Sequence, residues 1–214
     1  MKETKSDSPS HDASQDPSSA DALSRLLAAA GKQKGKPPVE KWNPPYCGEI
    51  GMRIASDGTW FYQGSPIGRH ALVKLFASIL RNDPTGHVLV TPVERIGIEV
   101  EDAPFLAVEM VAEGEGDARR LSFRTNVDDV VEIGPDHPFR FERDAQGGVK
   151  PYLLVRGDLW ALVTRPLMYD LIEMGQEREV AGKSVFGVAA GGMFHVIDAD
   201  GLSSYDTGSH DARG

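Results

Sequence analysis

The sequence predicts an α+β fold of two similar halves, each an antiparallel sheet with a helix, related by internal duplication. Three observations predict it. Short stretches with strand-like alternation outnumber helical ones. Most adjacent stretches are separated only by turn residues, so sequence neighbours pair as hairpins. Finally, DGTWFYQGSPIGRHALVKLF (Asp57 to Phe76) returns as GDLWALVTRPLMYDLIEMG (Gly157 to Gly175), with Trp60 matching Trp160, Pro66 matching Pro166 and Ile67 matching Leu167.

Residues 1–18 are mostly Ser, Asp, Lys, Pro and Gln, a composition expected to be disordered. ADALSRLLAAA (20–30) predicts a short helix stopped by Gly31, and a Lys/Pro/Gly linker follows, with Trp42 and Tyr46 tucked onto the body. GMRIASDG and TWFYQG predict a hairpin closed at Asp57-Gly58. Ser65 and Pro66 fit the cap and first position of a helix to residue 81. Ile67, Ala71, Leu72, Leu75, Phe76, Ile79 and Leu80 supply its apolar face. HVLVTPVE and IGIEVE read as strands.

PFLAVEMVAEGEGDARRLSFRT predicts a long hairpin with its tip at Glu113 to Asp117. DDVVEIG follows, then a hairpin turning at Gly147-Gly148. Asp102-Ala-Pro-Phe105 and Asp136-His-Pro-Phe139 read as turns entering strands. KPYLLVRGDLWALVT predicts a hairpin at Gly157-Asp158, with Tyr152 and Leu154 facing inward as Met52 and Ile54 do. A helix from Pro166 to Met174, the strands KSVFGVAA and GMFHVID, and a polar tail after Asp200 complete the chain.

The net charge of -9 argues against general nucleic-acid binding. No apolar run approaches the ~20 residues of a membrane span, and the N-terminus lacks the apolar region of a signal peptide. The single cysteine, Cys47, forbids an intramolecular disulfide, and a cytoplasmic location is expected. Gly182-Lys183-Ser184 lacks the upstream glycine of a phosphate loop, and GVAAGG reads as a hairpin turn. The six histidines are scattered, so no metal signature emerges and the sequence names no cofactor.

The candidate site rests on cations and polar residues at interrupted elements. Arg165 stands in the slot equivalent to Ser65, where an arginine does not help its own helix. Beside free helix N–H groups it fits an anion clamp, with Arg156 before the turn and Tyr169 one helical turn on. Arg69 opens the other helix, where a cation also wants a partner. Arg124 and Asn126 flank Thr125 where a strand breaks into a loop. Thr91 and Glu94 flank Pro92 at an expected bulge or edge that exposes side chains. Trp60 and Trp160 are expected in the core.

IASDGTWFYQGSPIGRHALVKLFASILRND, GHVLVTPVERIGIEVEDAPF, LSFRTNVDD and PYLLVRGDLWALVTRPLMYDLIEMG resemble the DUF1285 family of bacterial proteins, from about residue 37 to 198. The resemblance implies a duplicated core, a C-terminal half superficially like a pleckstrin-homology domain, and a ligand site between the halves. It also implies a nucleotide-like ligand and a signalling role. The chain then divides into 1–36 (disorder, short helix and linker), an N-terminal half 37–103, a C-terminal half 104–200 and a disordered tail 201–214. The expected function is non-catalytic sensing of a small anionic ligand. A protein-interaction scaffold, and a hydrolase using acids and arginines of the same cleft, are the alternatives.

Overall fold

The structure, a computed structural model, describes residues 24–28, 31, 35–144 and 147–198. The expected disorder of residues 1–18 and of the tail lies outside the described residues. Two six-stranded sheets and one three-stranded sheet carry two nine-residue helices, so the described chain is mostly sheet. The first sheet contains β1 (Tyr46–Ile54), β2 (Trp60–Tyr62), β3 (Ser65–Pro66), β4 (Leu80–Asp83), β5 (Gly86–Val90) and β6 (Arg95–Val100). Helix α1 (His70–Ser78) lies between β3 and β4. The second sheet contains β7 (Phe105–Glu113), β8 (Arg120–Thr125), β9 (Val130–Glu132), β10 (Phe139–Arg143), β11 (Val149–Arg156) and β12 (Leu159–Val163). Helix α2 (Arg165–Glu173) follows, and β13 (Gln176–Val180), β14 (Lys183–Ala190) and β15 (Met193–Asp198) form the small antiparallel sheet. Among the described residues no helix is long and apolar enough to cross a membrane.

The strand orders are β3-β2-β1-β6-β5-β4 and, read from the opposite edge, β9-β8-β7-β12-β11-β10. Each sheet is therefore two antiparallel three-stranded meanders joined by one parallel pair, the first strand beside the last. Ile54 lies beside Val100 in one sheet and Ala107 beside Val163 in the other. The two halves are alike in this order, strand for strand.

This places the likeness in a different phase from the sequence repeat. The repeated hairpins do share a register, since Ile54 pairs with Trp60 and Leu154 with Trp160. However, β1–β2 opens its sheet, whereas β11–β12 ends its own. Trp60 is buried and stacks on Phe76 at 6.3 Å, while Trp160 is half-buried. In the second hairpin Leu153, Val155, Leu159, Ala161 and Val163 fill the core. Tyr152, Leu154 and Trp160 consequently alternate onto the other face, where Tyr152 is still buried, as expected, but Leu154 and Trp160 are only half-buried.

Helix α1 starts four residues later than the Pro66 reading. Pro66 instead pairs with Phe61 in the edge strand β3, where a missing N–H is tolerated. Arg69 takes the N-cap position, with no side-chain cap bond. The shift changes the buried face to Val73, Phe76 and Ala77, leaving Ala71 exposed and Leu72 and Leu75 half-buried. Ile79 and Leu80 are fully buried just beyond the helix. In α2, Thr164 is the N-cap and Arg165 the first helical residue, so Arg165 does not stand in the cap slot. Gly175 follows the C-cap Met174, and a Cβ there would meet the Phe186 ring at 2.2 Å, which leaves space only for glycine.

Residues 24–28 are helical, and Leu26 is fully buried in the common core. Trp42 packs against that core, but Tyr46 is half exposed. One continuous apolar cluster includes Trp60 and Phe76 from the first half and Phe105, Phe123 and Leu153 from the second. Burial at this scale is the main stabilising term.

Candidate functional site

The seam between the halves gathers charged side chains around the turn after β8. Thr125 is buried, and its hydroxyl accepts the N–H groups of Val127 (3.3 Å) and Asp129 (3.0 Å). Asn126 closes the strand end by accepting the Leu106 N–H at 3.0 Å. The turn sets Asp128 at φ 64, a left-handed conformation that Asn and Asp tolerate better than most residues. This geometry presents Asp128 and Asp129 to the other half.

Asp128 meets the first turn of α1. It accepts from Lys74 at 2.8 Å and from Arg124 at 2.8 Å, and His70 lies 3.6 Å away. Lys74 is the largest influence, and together these groups bring the Asp128 carboxyl down to about 2. Arg124 also forks onto Glu109, and that bond, reinforced by Asp128, raises the guanidinium above its usual range. Arg69 precedes His70 and makes no side-chain hydrogen bond or ion pair with the described residues.

Asp129 turns to Arg156 and Lys36, the latter at 2.7 Å. Arg156 donates to the Ala77 carbonyl at 2.6 Å, at the C-terminal end of α1, and lies 4.9 Å over the Phe105 ring. A cation suits that end of a helix. Arg124, Asn126 and Arg156 thus come to one turn, and Arg69 leads into the helix that faces it.

The other named residues lie in different settings. Arg165 donates to the Tyr169 hydroxyl at 3.1 Å, one turn along α2, and both are exposed. Thr91 and Glu94 are buried, contrary to the expected exposure. The Thr91 hydroxyl accepts the Glu94 N–H at 3.2 Å in a closed turn, and Val93 takes the exposed tip instead. None of the eight named residues lines the cleft of about 490 Å³ bordered by Asp117, Arg119, Arg120, Glu132, Asp136 and His137. Its arginines are engaged, Arg120 with Glu132 and Arg119 with the Met174 carbonyl.

His70, Lys74, Asp128 and Asp129 were not singled out by sequence reasoning. Their signal was present: His70 and Lys74 are four apart on the polar side of α1, and two acids follow Arg124. A second seam contact joins Asp102 to Lys150 at 2.6 Å and to the Tyr152 hydroxyl at 2.7 Å. Burial acts to raise the Asp102 carboxyl, but these bonds outweigh it and lower it. Among the described residues, no three His, Cys, Asp or Glu side chains are grouped to hold a metal.

The Asp128 clasp carries a pH prediction. Its carboxyl titrates at about 2 when folded against 3.8 as a free group. The stabilisation is therefore complete above the unfolded value and is lost as pH falls through the folded one. Asp128→Asn keeps a residue that accepts the left-handed turn but removes the charge. The urea midpoint difference between wild type and this variant should be steady near pH ~6 and shrink between pH ~4 and ~2. A difference independent of pH across that window would exclude the ionic clasp.

The model of the N-terminal domain of unknown function DUF1285 matches residues 37–103, and that of the DUF1285 C-terminal domain matches residues 104–197. The boundary falls just before β7, where the second six-stranded sheet begins. A DUF1285 family protein from Silicibacter pomeroyi DSS-3 is similar in structure, with a TM-score of 0.75 and 46% identity over 80% of this chain and 93% of that one. Another from Shewanella baltica OS155 has a TM-score of 0.47 and 26% identity over 58% of this chain and 92% of that one. No curated protein matches the chain. With both domains matched in order across its two sheets, the chain belongs to the DUF1285 family.

Proposed function

We propose that this chain is a non-catalytic ligand-sensing protein that binds a small anionic, nucleotide-like molecule at the seam between its halves. The carrying observation is Asp128, a carboxylate ringed by Lys74, Arg124 and His70 at the first turn of α1. The protein's own anion sits where helix N–H groups and cations already favour negative oxygen. A phosphate offers the same donors more oxygens, and Arg69 adds a cation at the helix start that is unpaired among the described residues. Binding there exchanges a contact that joins the halves, which gives a signalling partner a change to read. The lone cysteine supports a cytoplasmic setting.

The common strand order supports an internal duplication in which β1–β6 recurs as β7–β12. In this reading the second sheet and the added β13–β15 meander make an α+β half superficially like a pleckstrin-homology domain. A scaffold role is the second reading. It rests on α2, which leaves Tyr169 50% and Ile172 39% exposed.

Titration calorimetry with inorganic phosphate, mononucleotides and dinucleotides tests the seam. Lys74→Ala should weaken binding by roughly tenfold to a hundredfold, the loss of one charge-assisted hydrogen bond. Asp128→Asn should strengthen it by removing the internal competitor. Arg165→Ala should leave it unchanged, whereas a loss confined to Arg165→Ala would move the site to α2. If neither wild type nor Asp128→Asn binds any of these anions, the ligand reading fails and the scaffold reading gains.

A further inference from the structure

The cleft beside the second sheet is open, and backbone contacts fix its walls. Its volume is about 490 Å³, within the ~300–1,000 Å³ of small-molecule pockets. One wall is the turn from Gly134 to His137. It is closed by the His137 N–H on the Gly134 carbonyl at 3.0 Å and the Gly134 N–H on the His137 carbonyl at 3.3 Å. The β14–β15 turn supplies another wall. Gly191 donates its N–H to the Arg119 carbonyl at 3.0 Å, and a Cβ on it would meet the Ile133 carbonyl oxygen at 2.2 Å. Only glycine lets these three segments meet there.

Two of the cleft's acids are already neutralised. Glu132 takes both prongs of Arg120, at 2.8 and 2.6 Å, and Asp117 takes Arg178. Arg119 and Asp136 are left over. Arg119 gives one N–H to the neutral Met174 carbonyl at 3.0 Å and meets no carboxylate among the described residues. Asp136, on the exposed part of the turn, has no hydrogen bond or ion pair among them. The two line one cleft without pairing with each other. His137 adds a third open group. Its Nδ1 lies 2.9 Å from the Leu154 carbonyl, which can only accept, so Nδ1 carries the proton and Nε2 of the neutral ring is an acceptor. Nε2 has no partner among the described residues.

We propose that this cleft binds a small zwitterion, an ammonium joined to a carboxylate by a short carbon chain. The carboxylate meets Arg119, and the ammonium meets Asp136 and His137 Nε2. A guanidinium offers planar donors that match a carboxylate. Asp136 and Nε2 only accept, which suits an ammonium with its three N–H donors. A simple anion would meet the uncompensated Asp136, and a simple cation the uncompensated Arg119, so the cleft selects a molecule bearing both charges. The site lies apart from the anion seam, and the proposal does not depend on it.

Glycine, β-alanine and γ-aminobutyrate carry the two charges at increasing spacing, and each is titrated into isotope-labelled full-length protein. The amide resonances of Gly134, Gly191 and Gly192 report occupancy of the cleft. At least one of the three probes should bind, and roughly tenfold or more tightly than acetate or methylammonium, which each carry one of the charges. Asp136→Asn keeps a residue suited to the turn and should weaken that binding by about tenfold to a hundredfold. Arg119→Gln should weaken it as much, with circular dichroism verifying the fold. Lys74→Ala, which alters the seam, should leave it unchanged. Failure of all three probes to shift these resonances, equally tight binding of acetate or methylammonium, binding unmoved by Asp136→Asn, or a loss confined to Lys74→Ala would each overturn the proposal.

Discussion

Phe76→Ala is expected to destabilise the protein by about 3–5 kcal/mol, the range for removing a buried aromatic ring. Phe76 is fully buried on α1 and stacks on Trp60 with an interplanar angle of 16°. The lost ring would leave a void against that indole and the surrounding aliphatic side chains. A void lined mainly by apolar groups stays dry, so water does not recover the lost contacts. Trp60 Nε1 has no partner among the described residues, and one lone N–H is too little to hold a water. A domain's total stability is about 5–15 kcal/mol, so the loss is a large part of it. Urea denaturation should show a lower midpoint with an unchanged slope. A midpoint equal to wild type would mean that Phe76 does not fill the core.

Asp129→Ala is expected to cost about 2–3 kcal/mol, somewhat below the ~3–5 kcal/mol of a wholly buried broken pair. Asp129 is 11% exposed and Arg156 24%, so water screens part of the loss. The variant strands the Arg156 guanidinium against Phe105 with the Ala77 carbonyl as its remaining partner. It also releases Lys36. Arg156→Met should cost less, because it keeps apolar bulk over Phe105 and leaves Asp129 paired with Lys36. The double variant should be less damaging than the sum of the singles, since one change removes the charge that the other leaves stranded. Full additivity in urea midpoints would show that the two groups are not coupled across the seam.

Local turn chemistry made much of this fold readable. Asp57-Gly58, Gly157-Asp158 and Gly191-Gly192 each mark a hairpin that the structure contains, because these residues carry their conformational preference with them. Pro66 misled because proline serves both an opening helix and an edge strand, and only the Phe61 partner decides. The parallel pairs were invisible. A strand beside a distant strand leaves no local trace, so the matched Trp hairpins suggested one repeat while long-range pairing built another. The site was half legible for a related reason. Arg124 and Arg156 stood out as cations at strand ends, but which acids they meet depends on how the sheets pack. From sequence Glu94 reads as exposed beside Pro92, because Arg25, which meets it, lies 69 residues earlier.

The joining of first strand to last also governs when each half comes into being. In the first sheet, β1 waits for β6 before its central pairing can form, and β7 likewise waits for β12. Contacts this distant in sequence raise contact order and slow the search for the native pairing. During synthesis, a chain that has emerged only to β5 holds the β1–β3 meander and the β4–β5 hairpin unjoined, with open inner edges. Such edges are templates for mispairing. The first sheet becomes complete when Val100 is available, before any strand of the second is needed. Vectorial synthesis thus separates two slow closures in time and keeps the like edges of the two halves from competing for each other's partners.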